Sequence, residues 1–154
     1  MLEIFEAYDG EALEAVRKLF QEYASSLGIS LDFQNFDEEL VALPGDYRPA
    51  AGRLLVARWA GEPAGCVALR MIEGPICEMK RLYTRPKFRR LGIARALCAK
   101  VIEEARRIGY QYMRLDTLPS MEAAQALYLS FGFRKIAPYC YNPVKGAMFL
   151  ELEL

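Results

Sequence analysis

The stretch Arg85-Pro86-Lys87-Phe88-Arg89-Arg90-Leu91-Gly92-Ile93-Ala94 decides how this chain is read. Before it, Ile76–Thr84 reads as a strand. After it, Ile93, Ala94, Leu97, Cys98, Val101, Ile102 and Ala105 recur at helical spacing, and Gly109 is placed to stop the helix. The quoted segment is therefore the junction of a strand with a long amphipathic helix. The first turn of a helix carries N–H groups without intrahelical partners, and the helix dipole adds partial positive charge there. Such a turn holds anions, a diphosphate in particular. Gly92 and Ala94 keep side-chain bulk away from the main chain, with Leu91 and Ile93 beside them. Arg89, Arg90 and Arg95 add forked donors for phosphate oxygens. GxxxxGK[ST] and GxGxxG are both absent, so the turn is neither a P-loop nor a dinucleotide fingerprint.

Working outward, residues 2–8 read as a strand ending at Asp9-Gly10. Asp9 is expected to cap a helix running to about Ser25, with Val16, Leu19 and Phe20 on its apolar face. A short helix near 37–43, capped by Asp37, ends at Pro44-Gly45-Asp46. Residues 28–52 are the least periodic and are expected to form a loop-rich flap. Strands at Leu54–Trp59, Ala64–Met71 and Ile76–Thr84 are joined by turns at Gly61-Glu62-Pro63 and Glu73-Gly74-Pro75. Beyond the long helix come a strand at 111–117, a helix at 121–130, a strand at 132–136 and an alternating strand at 147–154. This order predicts one mixed α/β domain, an antiparallel meander feeding a strand–helix–strand unit.

Composition narrows the chemistry. The chain has 154 residues, 53% of them hydrophobic and 26% charged, and no histidine. Histidine-dependent nucleophilic triads, histidine metal sites and histidine pH switches are thereby excluded. Cys66, Cys77, Cys98 and Cys140 lie far apart, with no CxxC pair, so neither a zinc site nor a disulfide framework is expected. Cys77 alternates away from Glu78 and reads as core, as do Cys66 and Cys98; Cys140 lies in an aromatic loop. The acidic start, Met1–Glu6, lacks signal-peptide character, and no apolar run reaches the roughly 20 residues of a membrane span. A cytoplasmic location is the expectation. Net charge is zero but lopsided: residues 1–46 hold eleven Asp or Glu against Arg17 and Lys18, while residues 79–107 hold ten Lys or Arg against Glu103 and Glu104. The basic segment suggests an anionic ligand; a solvated helix face explains the charge alone equally well. It lacks the aromatic platform of a single-strand nucleic-acid binder.

The strand "EMKRLYTRP", the turn "RRLGIA" with its helix, the strand "YMRLDT" and the segment "AAQALYLSFGF" together resemble the GNAT superfamily of acetyl-CoA-dependent N-acetyltransferases, over roughly residues 53–136. The tail "PYCYNPVKGAMFLELEL" and the early "ALPGDYRPAAGRLLVA" are similar to a bacterial subgroup of that family. The resemblance implies a central, mostly antiparallel sheet flanked by helices, whose 76–84 and 111–117 strands part to leave a slot. It implies that Arg89–Arg95 hold the diphosphate of acetyl-CoA and that main-chain groups of Leu82, Tyr83 and Thr84 extend the sheet onto the pantetheine arm. Many members carry an asparagine before the second helix of this unit; here Ser120 stands nearby, able to cap the helix and touch the ligand.

The resemblance also implies direct attack of an amine on the thioester, with no metal and no acyl-enzyme. A lysine-like amine with a pKa of about 10.4 is mostly protonated at neutral pH, so a base is needed. Glu78 is the candidate, acting directly or through water; an outward strand carboxylate paired with Lys80 is the plain alternative. The Leu82 N–H could face the developing oxyanion. Tyr128, in the A-L-Y-x-x-x-G-F pattern, matches the general acid that protonates the leaving thiolate; a core or rim tyrosine is the alternative. Phe33, Phe36, Tyr139, Tyr141 and Asn142, with Asp32, Asp37 and Glu38 near, are expected around the acceptor. That set suits a cationic acceptor (a small amine, an amino acid or a peptide N-terminus), unless the aromatics merely staple the flap. A non-catalytic acyl-CoA-binding regulatory module is the competing function. Many relatives dimerise, so a homodimer is an expectation, although no interface stripe stands out.

Overall fold

The computed structural model describes residues 1–154. Seven strands form one sheet in the order β1-β2-β3-β4-β5-β7-β6: β1 (Leu2–Glu6), β2 (Arg53–Trp59), β3 (Glu62–Glu73), β4 (Ile76–Thr84), β5 (Tyr112–Thr117), β6 (Arg134–Ile136) and β7 (Met148–Glu153). Four α-helices connect them: α1 (Gly10–Ser26), α2 (Phe36–Ala42), α3 (Ile93–Ile108) and α4 (Glu122–Ser130). Every strand pair is antiparallel except β4 with β5, which the crossover through α3 makes parallel. Fold class and element order follow the sequence expectation.

Helices cover both faces, so the chain builds two cores. On one face, Leu97, Cys98, Val101 and Ile102 of α3 pack on Val67, Leu69, Cys77, Met79, Met113 and Leu115 of the sheet. On the other, Val16, Leu19 and Phe20 of α1, with Phe36, Leu43 and Tyr47, pack on Leu54, Val56, Cys66 and Ala68. Alternation along β2 and β3 sorts these residues to opposite faces.

Local details depart from expectation in four places. Segment 28–52 is not a loose flap, because Leu31, Phe36, Leu43 and Tyr47 are buried and pin it to the second core. Asp37 lies in the first turn of α2, behind Asn35 at the cap position, and Asp9 holds the cap position of α1 without a side-chain cap bond. The β2–β3 turn is Ala60-Gly61, both at positive φ, and Pro63 lies in β3 beside a register shift at Ala57/Arg58. α4 starts at Glu122 with Met121 in the cap position, so Ser120 is not its cap. Gly109 stops α3 as expected: at φ 110 its N–H reaches the carbonyls of Ala105 and Arg106.

Two features of β4 position the site. Its pairing with β5 covers only Ile76–Glu78 against Tyr112–Arg114, after which the strands diverge. The edge of β4 from Met79 to Thr84 is left without a strand neighbour on that side. Second, the β3–β4 register passes from Ala68↔Lys80 to Cys66↔Tyr83, so Arg81 and Leu82 together oppose Val67. This bulge, with Arg81 at φ 62, resets the alternation. Cys77 and Met79 face α3, Lys80 and Arg81 both reach residues of the opposite face, and Leu82 returns to the α3 side.

Candidate active site

The divergence of β4 from β5 opens a cleft of about 930 Å³ running from the start of α3 to the segment before α2. One end is formed by Arg89, Arg90, Gly92, Ala94 and Arg95. Gly92 occupies the cap position of α3 at φ 79, with no side-chain cap, and a Cβ there would meet nothing within 4 Å. The main-chain N–H groups of Ile93, Ala94 and Arg95 find no acceptor in the chain. Glycine is required by the backbone conformation, and it leaves those donors open.

The charge asymmetry now has a structural account. Acids of the N-terminal region meet bases of β4 and its exit: Glu39 takes Arg81 in a two-pronged bond at 3.0 and 3.0 Å, and Glu22 takes Arg85 at 2.9 and 2.7 Å. Lys87, Lys100 and Arg107 pair with Glu62, Glu104 and Glu103. Arg89, Arg90 and Arg95 have no carboxylate partner; Arg89 donates to the Thr84 carbonyl and Arg95 to the Ser130 hydroxyl. The unpaired guanidinium groups converge on the open end of α3.

Along the middle of the cleft lie Leu82, Tyr83 and Thr84 of β4, and Leu115, Asp116 and Thr117 of β5. The Thr84 hydroxyl is buried without a hydrogen-bond partner. Tyr128 enters from α4. Its ring lies 5.7 Å from Phe133, the residue is 7% exposed, and no protein group bonds its hydroxyl. Burial raises its pKa well above 10.0, keeping it a phenol. Ser120 also lines the cleft; Leu91 is 43% exposed beside it and is not part of the wall.

The other end departs most from the sequence expectation. Glu78 is on β4 as read, but its side chain is 2% exposed and both oxygens are engaged. Oε1 accepts from Arg70 Nε at 2.9 Å and Oε2 from the Tyr139 hydroxyl at 2.6 Å. The carboxylate does not line the cleft, which removes a direct contact with an acceptor amine. Tyr139 is turned onto Glu78 and packs edge-on against Phe149, and burial together with the Glu78 charge raises its pKa. Phe36 is a core residue beneath the Arg81 guanidinium, 5.1 Å from it, and so is not an acceptor contact. Asp32, Asp37, Glu38 and Tyr141 do not line the cleft either, though Tyr141 packs edge-on against Phe33, which does. The expected wall of acids and aromatics thus reduces to Phe33 and Asn142.

In its place stand Gln34, Arg81 and Asp116, which the sequence did not single out, and Lys80, which it offered only as a partner for Glu78. Asn142 donates to Asp116 Oδ2 at 3.0 Å. Lys80 Nζ lies 3.1 Å from Gln34 Oε1 and 3.9 Å from Glu78 Oε1, and burial lowers its pKa. The sequence did hold one signal, since a carboxylate near the end of a strand, between Leu115 and Thr117, calls for a partner or a ligand. No signal marked the bulge that brings Arg81 to the Lys80 side. Cys77 is buried on the α3 face, and burial raises its pKa to about 12, which suits a core thiol and not a nucleophile.

A sheet split between two parallel neighbours, with open helix amides at the mouth and a buried phenol inside, defines the acyl-CoA-dependent transferase architecture. The profile of the Acetyltransferase (GNAT) family matches residues 13–133. An uncharacterized N-acetyltransferase of Schizosaccharomyces pombe is 42% identical over 92% of this chain and 88% of its own length. One from Dictyostelium discoideum is 32% identical over 100% of this chain and 99% of its own. A putative acetyltransferase from Salmonella typhimurium, solved with acetyl-CoA, superposes with a TM-score of 0.74 at 21% identity, over 99% of this chain and 93% of that one. The chain belongs to the GNAT acetyltransferase family and is an acyltransferase. The expectation of a bacterial subgroup is corrected, because the first two relatives are eukaryotic. No helix is long and apolar enough to cross a membrane.

Proposed function

We propose that this enzyme moves the acetyl group of acetyl-CoA directly to the primary amine of a small acceptor. The observation that carries the reading is the unpartnered Tyr128 phenol inside a cleft whose far end offers three open helix amides and three unpaired arginines. Those amides, with Arg89, Arg90 and Arg95, fit the cofactor's diphosphate. The open edge of β4 at Leu82–Thr84 fits the amides of its pantetheine arm. When bound there, the cofactor supplies an activated thioester.

The chain's own residues supply orientation and protons. The Leu82 N–H, at the bulge, is assigned to the oxyanion. Tyr128, held protonated by burial, donates to the departing sulfur. Glu78, spent on Arg70 and Tyr139, acts as a positioning residue, and Asp116 is the carboxylate left facing the acceptor end. Thiol release from acetyl-CoA with a broad amine panel tests the reading. Release with some amine, lost on Tyr128→Phe, is expected; saturable cofactor binding with no transfer to any amine would overturn it in favour of a binding module.

A further inference from the structure

We infer that the acceptor is a zwitterion, an amine with a carboxylate close by as in a free amino acid, held by Asp116 at its amino end and Lys80 at its carboxylate. The inference rests on the acetyl-transfer reading above and narrows its substrate class. Lys80 and Asp116 stand on the two strands that diverge, and both line the acceptor end of the cleft. They also share a sheet face. Glu78 is in register with Arg114, and alternation along each strand brings Lys80 and Asp116 to the Glu78–Arg114 side.

Every other ion at this end is already matched. Glu39 grips Arg81 with both oxygens, and Arg70 and Tyr139 occupy the two oxygens of Glu78. Lys80 is left with less. Its side chain is 7% exposed, its nearest carboxylate oxygen is 3.9 Å away, beyond hydrogen-bond reach, and its one close acceptor, Gln34 Oε1, also serves Arg81 at 2.7 Å. An ammonium carries three donors, so Lys80 has capacity to spare in a place where an unmet charge is costly. Asp116 mirrors it: Oδ2 is held by Asn142 while Oδ1 accepts nothing from the chain. One cation and one anion, each half-satisfied and facing one space, match the two ends of an amino acid. A plain alkylamine would leave Lys80 unmet.

The protons balance on this arrangement. The bound ammonium gives one proton to Asp116, which passes it to solvent. The free amine then attacks the thioester carbon, and the carbon–sulfur bond breaks with its electron pair going to sulfur. Tyr128 gives its proton to the departing thiolate and the second amine proton restores the phenol, so the products are an acetamide, a free thiol and one released proton.

The test is acetyl-CoA turnover with amino acids beside their decarboxylated amines and their amides. Wild type is expected to favour the amino acid over its matched amine by about tenfold or more in kcat/KM, as a site built for a polar group rejects the analogue lacking it. In Lys80→Met that ratio should fall toward one through KM. Asp116→Asn, which keeps the shape and the Asn142 contact, should lower kcat for the amino acid. A wild-type preference for the amines or amides, or a ratio that Lys80→Met and Lys80→Gln leave intact, would overturn the inference while leaving acetyl transfer standing. Absence of thiol release from every amine would overturn both.

Discussion

At the scale of single residues, Tyr128 and Gly92 do opposite things with burial and space. The Tyr128 ring is packed against Phe133 while its hydroxyl is left for whatever enters the cleft. Because burial raises its pKa well above 10.0, the phenol stays protonated at every ordinary assay pH. Single-turnover rates should therefore show no falling limb below pH 10.0 attributable to this residue. Tyr128→Phe should slow the chemical step by about a hundredfold, the usual scale of general acid catalysis, with coenzyme A affinity retained by calorimetry. An unchanged single-turnover rate would remove its acid role. Gly92 meets no steric limit, since an added Cβ touches nothing within 4 Å, but its φ of 79 penalises any other residue. Gly92→Ala should cost about 1–2 kcal/mol in denaturant unfolding, from the backbone alone. Gly92→Glu should in addition abolish coenzyme A binding, by placing negative charge where the helix amides open.

At the scale of elements, the site exists because β4 is tightly held on one side and released on the other. Gly65 of β3 lies close against β4: a Cβ there would stand 2.5 Å from the Tyr83 carbonyl and 3.3 Å from Leu97 Cδ1. The Tyr83 backbone cannot yield cheaply, so Gly65→Ala should destabilise by about 1–3 kcal/mol, the scale of an overpacked core. It should also weaken cofactor binding, because Leu82–Thr84 would shift with the strand. An unaltered unfolding midpoint would contradict this packing account. The element order was legible because the helices show apolar residues at helical spacing and the strands are short runs bounded by turn residues. The divergence was not, since a strand that loses its neighbour halfway keeps the same alternation; here it was implied only by the family resemblance.

At the scale of the molecule, the acidic N-terminal region and the basic strand exit are halves of one set of ion pairs. Glu22 of α1 reaches Arg85 just beyond β4, joining the helix layer to the start of the cofactor end. Its hydrogen bonds from Arg85 hold the Glu22 pKa below its ordinary 4.5. The pair therefore adds stability above that value, and the gain disappears as pH falls through the lowered pKa. Glu22→Gln should lower unfolding free energy at pH 7 by the small amount expected of a part-exposed, screened pair, at most about 1 kcal/mol. The gap to wild type should close as pH falls through the lowered Glu22 pKa. A gap that persisted undiminished in acid would show that the substitution acts through packing instead.

Read alone, the chain determines the order of its elements and points to an anion-binding turn, because each depends on local periodicity or on a glycine at a helix start. The same is true of the core roles of Cys66, Cys77 and Cys98. What the tertiary structure decided was the acceptor end. Glu78 is drawn inward by Arg70, opposite it on β3, and by Tyr139, 61 residues further on, and Phe36 is covered by Arg81. Lys80 and Asp116 meet across a gap that only the packed sheet creates. Which charges are spent and which remain free depends on partners brought together by folding, and local spacing carries no record of them.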